Sequence, residues 1–366
     1  MCIRDRKKAL MVVLCLSLAF TAFACGSKDD NSKSKDNTYE IAMITDVGTI
    51  DDKSFNQGTW EGVKEWAEKN DVTYKYYQPA EDTNKARMEQ IDLAVKAGAK
   101  VIATPGFLFQ EPIFQAQSKY PDVKFIFIDG APAETPESAP EIKDNTVSIV
   151  YAEEQAGYLA GYAAVKEGNT KLGFMGGMAV PAVVRYGYGF VKGANDAAAE
   201  DNKNVSIKYN YTGDFKASPD IKAKAAGWYA DGTEVIFSCG GAIFDSISSA
   251  AEESNGKVIG VDVDQSSQSK TVITSAMKLL KESVKDQLDA YKKDEFKGGE
   301  ALVLGAKEGR IGLPMKTSQF KKFKKDDYKK IYDKLADGGI EIPNDKDTQE
   351  ADLASKVPNV NLMIIK

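Results

Sequence analysis

Histidine is absent from this sequence. Its absence removes the usual general base of a serine or cysteine hydrolase and the commonest transition-metal ligand. Cysteine is scarce: Cys2, Cys15 and Cys25 crowd the N-terminus, and only Cys239 lies beyond them. No disulfide framework follows from that count, and a lone Cys ending the apolar run Val235-Ile236-Phe237-Ser238-Cys239 reads as a small core residue. Phosphate-cradling glycine loops are missing too. Gly173-Phe174-Met175-Gly176-Gly177 and Gly187-Tyr188-Gly189 lack G-x-G-x-x-G spacing after a strand, and no G-x-x-x-x-G-K-[ST] occurs, which argues against a nucleotide-dependent enzyme. Positive charge is not in excess. The formal net charge is −6, and the first 24 residues carry four positive charges and one negative, leaving −9 for the remainder. That balance opposes nucleic-acid binding.

The N-terminus is an export signal by pattern. Arg4, Arg6, Lys7 and Lys8 form a positive region. Ala9 to Phe23 then run uncharged and apolar but too short for a comfortable membrane span. Ala22-Phe23-Ala24-Cys25-Gly26-Ser27 follows, then a Lys-, Asp- and Ser-rich tract to Asn37. A Cys at the cleavage point followed by a polar tether is the pattern of a bacterial lipoprotein, with Cys25 the lipidated residue. Ala22-x-Ala24 also fits ordinary signal cleavage, and Ala22 stands where a lipobox carries Leu. The expected organisation is a signal peptide over 1–24, lipidated Cys25 and a linker over 25–38, and roughly 340 residues beyond, enough for two cores.

From Tyr39 onward, short apolar runs alternate with amphipathic helical patterns. Strands are expected at Tyr39–Ile44, Val72–Tyr77, Val101–Ala103 and Lys124–Ile128, with helices at Phe55–Lys69, Thr83–Ala97 and Phe109–Ser118. The alternation restarts with a helix over Glu153–Val165 that has a small-residue face (Ala156, Gly157, Ala160, Gly161, Ala164). Strands follow at Leu172–Met175, Val205–Tyr211, Val235–Ser238 and Lys257–Val261, separated by helices at Ala182–Ala199, Ile221–Ala230 and Phe244–Glu253. A helix is expected from after Thr274 to Lys292, and another, solvated and amphipathic, over Lys316–Lys334. Alternation of this kind predicts two doubly wound parallel sheets, one before about Val150 and one after.

The richest segment runs from Ile44 to Gly62. A strand ends in Asp46, a polar loop follows, and Ser54-Phe55-Asn56 opens a helix. Asp46 lies at a strand's carboxyl end, where open α/β sheets bind ligands. Phe55 follows Asp51, Asp52 and Lys53, which favour solvent, so its ring is offered from a polar loop and suits stacking on a flat solute. Gly240-Gly241 after the buried run at 235–239 is a tight turn at another such end. Asp129 and Asp262, each following an apolar strand, serve equally well as caps or as ligand groups. Lys278, read on a helix, is more often solvated in such a place.

Several stretches together resemble the basic membrane protein family of substrate-binding lipoproteins, which includes purine nucleoside receptors of ABC transporters. They are Asp51-Asp52-Lys53-Ser54-Phe55-Asn56-Gln57, Tyr120-Pro121-Asp122-Val123-Lys124-Phe125-Ile126-Phe127-Ile128-Asp129, Glu154-Gln155-Ala156-Gly157-Tyr158-Leu159-Ala160-Gly161, Ile259-Gly260-Val261-Asp262-Val263-Asp264-Gln265 and Thr274-Ser275-Ala276-Met277-Lys278. The resemblance implies a type I periplasmic-binding-protein fold with three hinge crossings, lobe 1 comprising 39–150 plus 263–310 and lobe 2 comprising 151–262 plus 311–366. It implies a monomer without cofactor, held by lipid at the extracytoplasmic face of the cell membrane and partnered by an ABC permease. The site it implies sandwiches a nucleoside base between Phe55 and Phe215. Asp46, Asn56 and Asp129 meet base and sugar, Asp262 and the Gly241 backbone take ribose hydroxyls, and Lys278 completes the ring. Around Phe215 the chain reads Asp214-Phe215-Lys216 instead of the family's Phe-x-Asp, so Tyr186 or Tyr211 is an alternative for the second ring. Two rival functions are an exported nucleoside or glycoside hydrolase, using Asp46 with Asp129 or Asp51 with Asp52, and a surface antigen or adhesin.

Overall fold

A computed structural model of the chain describes residues 38–366. The expected signal peptide, Cys25 and all but the last residue of the linker lie outside the described residues. The chain opens with β1 (Ile41–Ile44), α1 (Phe55–Asn70), β2 (Tyr74–Tyr77), α2 (Asn84–Lys96), β3 (Val101–Pro105), α3 (Gln110–Lys119), β4 (Lys124–Ile128) and β5 (Thr146–Tyr151). It continues with α4 (Glu153–Lys166), β6 (Lys171–Gly176), α5 (Pro181–Asp201), β7 (Val205–Tyr211), α6 (Pro219–Ala230), β8 (Val235–Cys239), α7 (Ile243–Ser254), β9 (Lys257–Asp262) and β10 (Val272–Lys278). After these come α8 (Leu280–Lys292), β11 (Glu300–Leu304), β12 (Ile311–Gly312), α9 (Lys325–Ala336), α10 (Glu350–Leu353) and β13 (Val360–Ile364).

Two sheets result, ordered β2-β1-β3-β4-β5-β11 and β13-β7-β6-β8-β9-β10-β12. Every pairing is parallel except β10 with β12. Strands such as Phe125-Ile126-Phe127-Ile128 are buried on both faces, which explains their unbroken apolar character. Local signals set the helix starts. The Thr83 hydroxyl accepts from the Ala86 N–H at 3.1 Å, and Ser218 accepts from Ile221 at 3.2 Å with Pro219 in the first helical turn.

Within the described residues the chain crosses between sheets three times, from β5 to α4, from β10 to α8, and from β11 to β12. The crossings are tied together, since Ala152 N–H donates to the Leu304 carbonyl at 3.0 Å and Leu279 N–H to that of Arg310 at 2.9 Å. Two expectations need correction. The stretch assigned to the first lobe from 263 contains β10, which pairs with β9 and therefore belongs to the second sheet. Thr274–Lys278 is thus strand, and the helix begins only at Leu280. The Lys316–Lys334 helix is shorter as well. Its first part is turn structure, because the Glu167 carboxylate accepts the backbone N–H groups of Lys321, Lys322 and Phe323 at 2.8–3.1 Å, and α9 starts at Lys325.

In both sheets the first strand of the unit lies beside the second on one side and the third on the other. The order reverses between β1 and β3, and again between β6 and β8. Ligands of open α/β sheets bind outside the carboxyl ends of strands at such a reversal. The chain therefore holds two binding edges, and the site lies where both contribute.

Candidate functional site

A cavity of about 310 Å³ is lined from both edges. The first lobe supplies Asp46 and Gly48 after β1 and Gly106 to Leu108 after β3; the second supplies Gly240 and Gly241 after β8 and Asp262 at the end of β9. Its volume falls at the lower end of small-molecule sites, about 300–1,000 Å³. Asp46, Phe55, Asn56, Asp129, Phe215, Gly241, Asp262 and Lys278 all line it.

The Asp51–Asn56 loop is built around one carboxylate. Asp52 is buried, contrary to the solvated role expected for it. Its oxygens accept from the backbone N–H groups of Ser54, Asn56 and Gln57 at 2.9–3.0 Å, so it caps α1 where the helix dipole favours an anion. Burial pushes its carboxyl up to about 6 against the pull of those donors. Asp51 is exposed, so Asp51 and Asp52 do not form a carboxylate pair facing one site. The Asn56 amide donates to Asp46 Oδ1 at 2.8 Å and to Asp52 at 3.0 Å, and the Gly48 N–H also donates to Asp46 at 2.7 Å. Burial nonetheless raises the Asp46 carboxyl above its ordinary value.

Asp129 and Asp262 occupy matching places, each at the carboxyl end of the fourth strand of its unit. Both are left-handed, with φ of 64° and 65°, a conformation Asp tolerates better than most residues. Neither caps a helix. Both turn to Lys278, whose ammonium lies 2.5 Å from Asp129 Oδ2, 3.4 Å from Asp262 Oδ1 and 3.7 Å from Glu153 Oε1. Lys278, expected on a helix, ends β10 and is only 3% exposed. Its nitrogen stands 4.4 Å from the centre of the Phe55 ring, a cation–π contact. Burial opposes its charge, but the surrounding carboxylates outweigh this and hold its pKa above the ordinary lysine value. Burial pushes Asp129 up to about 7, with Lys278 pulling down and the Glu153 and Asp262 charges pushing up. Asp129 Oδ1 is buried in the cavity wall without a hydrogen-bond partner.

Phe215 sits against Gly177, where a Cβ would come within 2.3 Å of its ring; only glycine leaves the ring that seat. Tyr186 also lines the cavity, but its hydroxyl donates to the Ala276 carbonyl at 3.2 Å. Tyr211 packs instead beside Phe174 and Tyr209, away from the cavity lining. Phe107, Leu108, Val180 and Val183 form further apolar walls, and their only signal in the sequence is their place beside strand ends. Glu153 and Arg185, buried behind Lys278, carry no local signal at all.

The lobes touch across the cleft. The Ser54 hydroxyl donates to Asp262 Oδ2 at 2.6 Å, the Gln265 amide to the Lys53 carbonyl at 2.9 Å, and Lys53 pairs with Asp245 at 3.0 Å. The Lys53 pair is half exposed and is worth at most about 1 kcal/mol, so the two buried-side hydrogen bonds fix the closed arrangement more firmly. Among the described residues no group of His, Cys, Asp and Glu is placed to hold a metal ion, and no helix is long and apolar enough to cross a membrane.

Residues 39–346 match the family model for Bmp, the PnrA-like ABC transporter substrate-binding proteins. The chain is 28% identical to the ABC transporter nucleoside-binding protein BmpA of Lactococcus lactis, over 92% of this chain and 99% of that one. It is 30% identical to basic membrane protein D of Borreliella burgdorferi, over 88% and 92%. Among solved structures, an ABC transporter solute-binding protein from Aeropyrum pernix superimposes with a TM-score of 0.76 at 22% identity, over 87% of this chain and 96% of that one.

Proposed function

We propose, from the premise that the chain belongs to the Bmp family of ABC transporter substrate-binding proteins, that it captures a purine nucleoside in its cleft and delivers it to a permease. The type I periplasmic-binding fold and a binding, non-enzymatic role come with that membership and with the solved relatives. The finer reading rests on one observation above the others. Phe55 and Phe215, from different lobes, line one cavity with Asp129, which offers a buried and unpartnered carboxylate oxygen. A nucleoside is flat and neutral and carries hydroxyl and amine donors. Its base would stack on the Phe55 face opposite Lys278, and its donors would satisfy Asp129, Asp262 and Asp46 through charge-assisted bonds. The Lactococcus relative's name as a nucleoside-binding protein supports the same class.

Native mass spectrometry of the purified protein is expected to show a bound nucleoside, and adenosine or guanosine is expected to raise its melting temperature. Phe55→Ala removes a stacking contribution of about 1–3 kcal/mol, a loss of affinity of about fivefold to 150-fold. A flat thermal response across a nucleoside panel refutes the proposal and favours the antigen or adhesin alternative. Release of free base would instead reveal a hydrolase.

The charge of the lining adds a second expectation. Asp46, Asp52, Asp129 and Asp262 face the cavity, while Lys278 is already committed to three carboxylates and Lys216 stands exposed. A 5′-phosphate would find repulsion, and the one buried cation of the lining, Lys278, already paired with carboxylates. Adenosine monophosphate is expected to bind at least a hundredfold more weakly than adenosine by calorimetry; equal affinities would contradict the assignment of these carboxylates to the solute.

We further read the protein as lipid-anchored through Cys25 on the extracytoplasmic side. The mass of the processed N-terminal peptide distinguishes this from cleavage after Ala24 without lipid.

A further inference from the structure

Glu153 does not line the cavity, yet it is fully buried, at 0% exposure, in the hinge. It opens α4 just past the first crossing, and Lys278 ends β10 at the second. Glu153 Oε2 accepts from Arg185 Nε at 2.6 Å, and Arg185 Nη1 reaches on to both oxygens of Asp345 at 3.2 and 3.3 Å. The other oxygen, Oε1, has no hydrogen-bond partner and faces the Lys278 ammonium at 3.7 Å. A row of alternating charges therefore runs from Asp345 through Arg185, Glu153 and Lys278 to Asp129 in the other lobe. A staple between α4 and α5 would account for the bond to Arg185. It would not account for a second oxygen left unbonded and turned to the ammonium.

We infer that Glu153, clamped by Arg185, is a positioning residue for Lys278. Its charge draws the ammonium back toward the hinge, so that Lys278 bridges Asp129 and Asp262 through one oxygen of each and leaves Asp129 Oδ1 free for the solute. The inference deepens the nucleoside reading and rests on it for its binding consequence, but its electrostatic consequence is independent of any ligand. Within electrostatic reach of Asp129 are Lys278 on β10, Glu153 on α4, Asp262 on β9, Tyr151 on β5, Cys239 on β8, and Arg185 and Tyr186 on α5. Of the carboxylates among these, Glu153 is the one outside the cavity wall, so its charge can be removed without altering the surface the solute meets.

Glu153→Gln keeps the shape and an acceptor for Arg185 but loses the charge. Two readouts test it. In the ligand-free protein, the carboxyl carbon of Asp129, followed by NMR and assigned with Asp129→Asn, is expected to titrate near 7 in the wild type. In Glu153→Gln it should titrate at lower pH, because a like charge has gone, and Glu153→Asp should return it upward. In calorimetry, adenosine affinity at pH 8 should fall about tenfold in Glu153→Gln. An unmoved Asp129 titration with unchanged affinity, alongside a lowered melting temperature, would make Glu153 a staple and overturn the inference. If the wild type binds no adenosine, the nucleoside reading fails, and the titration alone decides this one. Should Glu153→Gln not fold, Glu153→Asp is read instead: its retained charge should leave the Asp129 titration near that of the wild type while its shortened reach lowers adenosine affinity, and wild-type affinity overturns positioning.

Discussion

Replacing Lys278 with methionine is expected to cost about 3–5 kcal/mol of folding stability and to abolish solute binding. The ammonium is the cation at the centre of Asp129, Asp262 and Glu153, with Asp129 at 2.5 Å. Replacing a whole buried ion pair with apolar groups is often harmless, but removing one partner strands the others away from water. Methionine fills the volume and removes only the charge, so the stranded carboxylates decide the outcome. The penalty should depend on pH with a definite sign. Burial pushes the Asp129 carboxyl up to about 7 from the ordinary 3.8, so its contribution to stability is present below the unfolded value and is lost as pH rises through the folded one. Without Lys278 that folded value moves higher still. The melting-temperature deficit of Lys278→Met should therefore be smaller at pH 5 than at pH 8 in scanning calorimetry. A deficit independent of pH would show that packing, not charge, holds this cluster together.

Much of this arrangement could be read from the chain, and the exceptions have physical causes. Lys124–Ile128 and Val205–Tyr211 were legible to the residue as strands because β-branched and aromatic residues fill them and turn residues bound them. Asp46, Asp129 and Asp262 stood out because an acid just after an apolar run marks a strand's carboxyl end. β10 was missed because all but one of its residues are buried, polar Thr274, Ser275 and Lys278 included, which erases the period-two signature and lets the segment merge with the following helix. β12 has two residues and no pattern to read. Asp52 was misjudged because a run of charges suggests solvent, whereas here the helix N-terminus binds its carboxylate. Glu153 and Arg185 left no local trace. Their partners lie 32 and 160 positions along the chain, and only packing α4 against α5 brings the charges together.

That helix pair carries the last large effect. Gly189→Ala is expected to destabilise the protein by more than the ~1–3 kcal/mol typical of overpacking and to weaken solute binding with it. A Cβ on Gly189 would lie 1.9 Å from the Glu154 carbonyl oxygen, far inside any contact that real Cβ atoms make. The obstacle is backbone, so no side-chain rotation relieves it. Added Cβ atoms at Gly157, Gly161 and Gly193 would come within 2.0–2.1 Å of carbonyl oxygens on the facing helix. The two helices thus touch main chain to main chain through a G-x-x-x-G on each, a close approach that small residues alone permit. Forcing α5 outward also displaces Arg185 and Tyr186, one turn earlier, from Glu153 and from the Ala276 carbonyl. Damage to this seam should therefore reach the cleft as lost affinity, in addition to a lower melting temperature. Gly227 supplies the comparison. It also lies within a helix, α6, but an added Cβ there meets nothing within 4 Å. Gly227→Ala is expected to stabilise by about 0.5–1 kcal/mol through helix propensity and a less flexible unfolded chain. Urea unfolding of the two variants should give shifts of opposite sign; equal shifts would mean the α4–α5 seam yields more readily than its geometry implies.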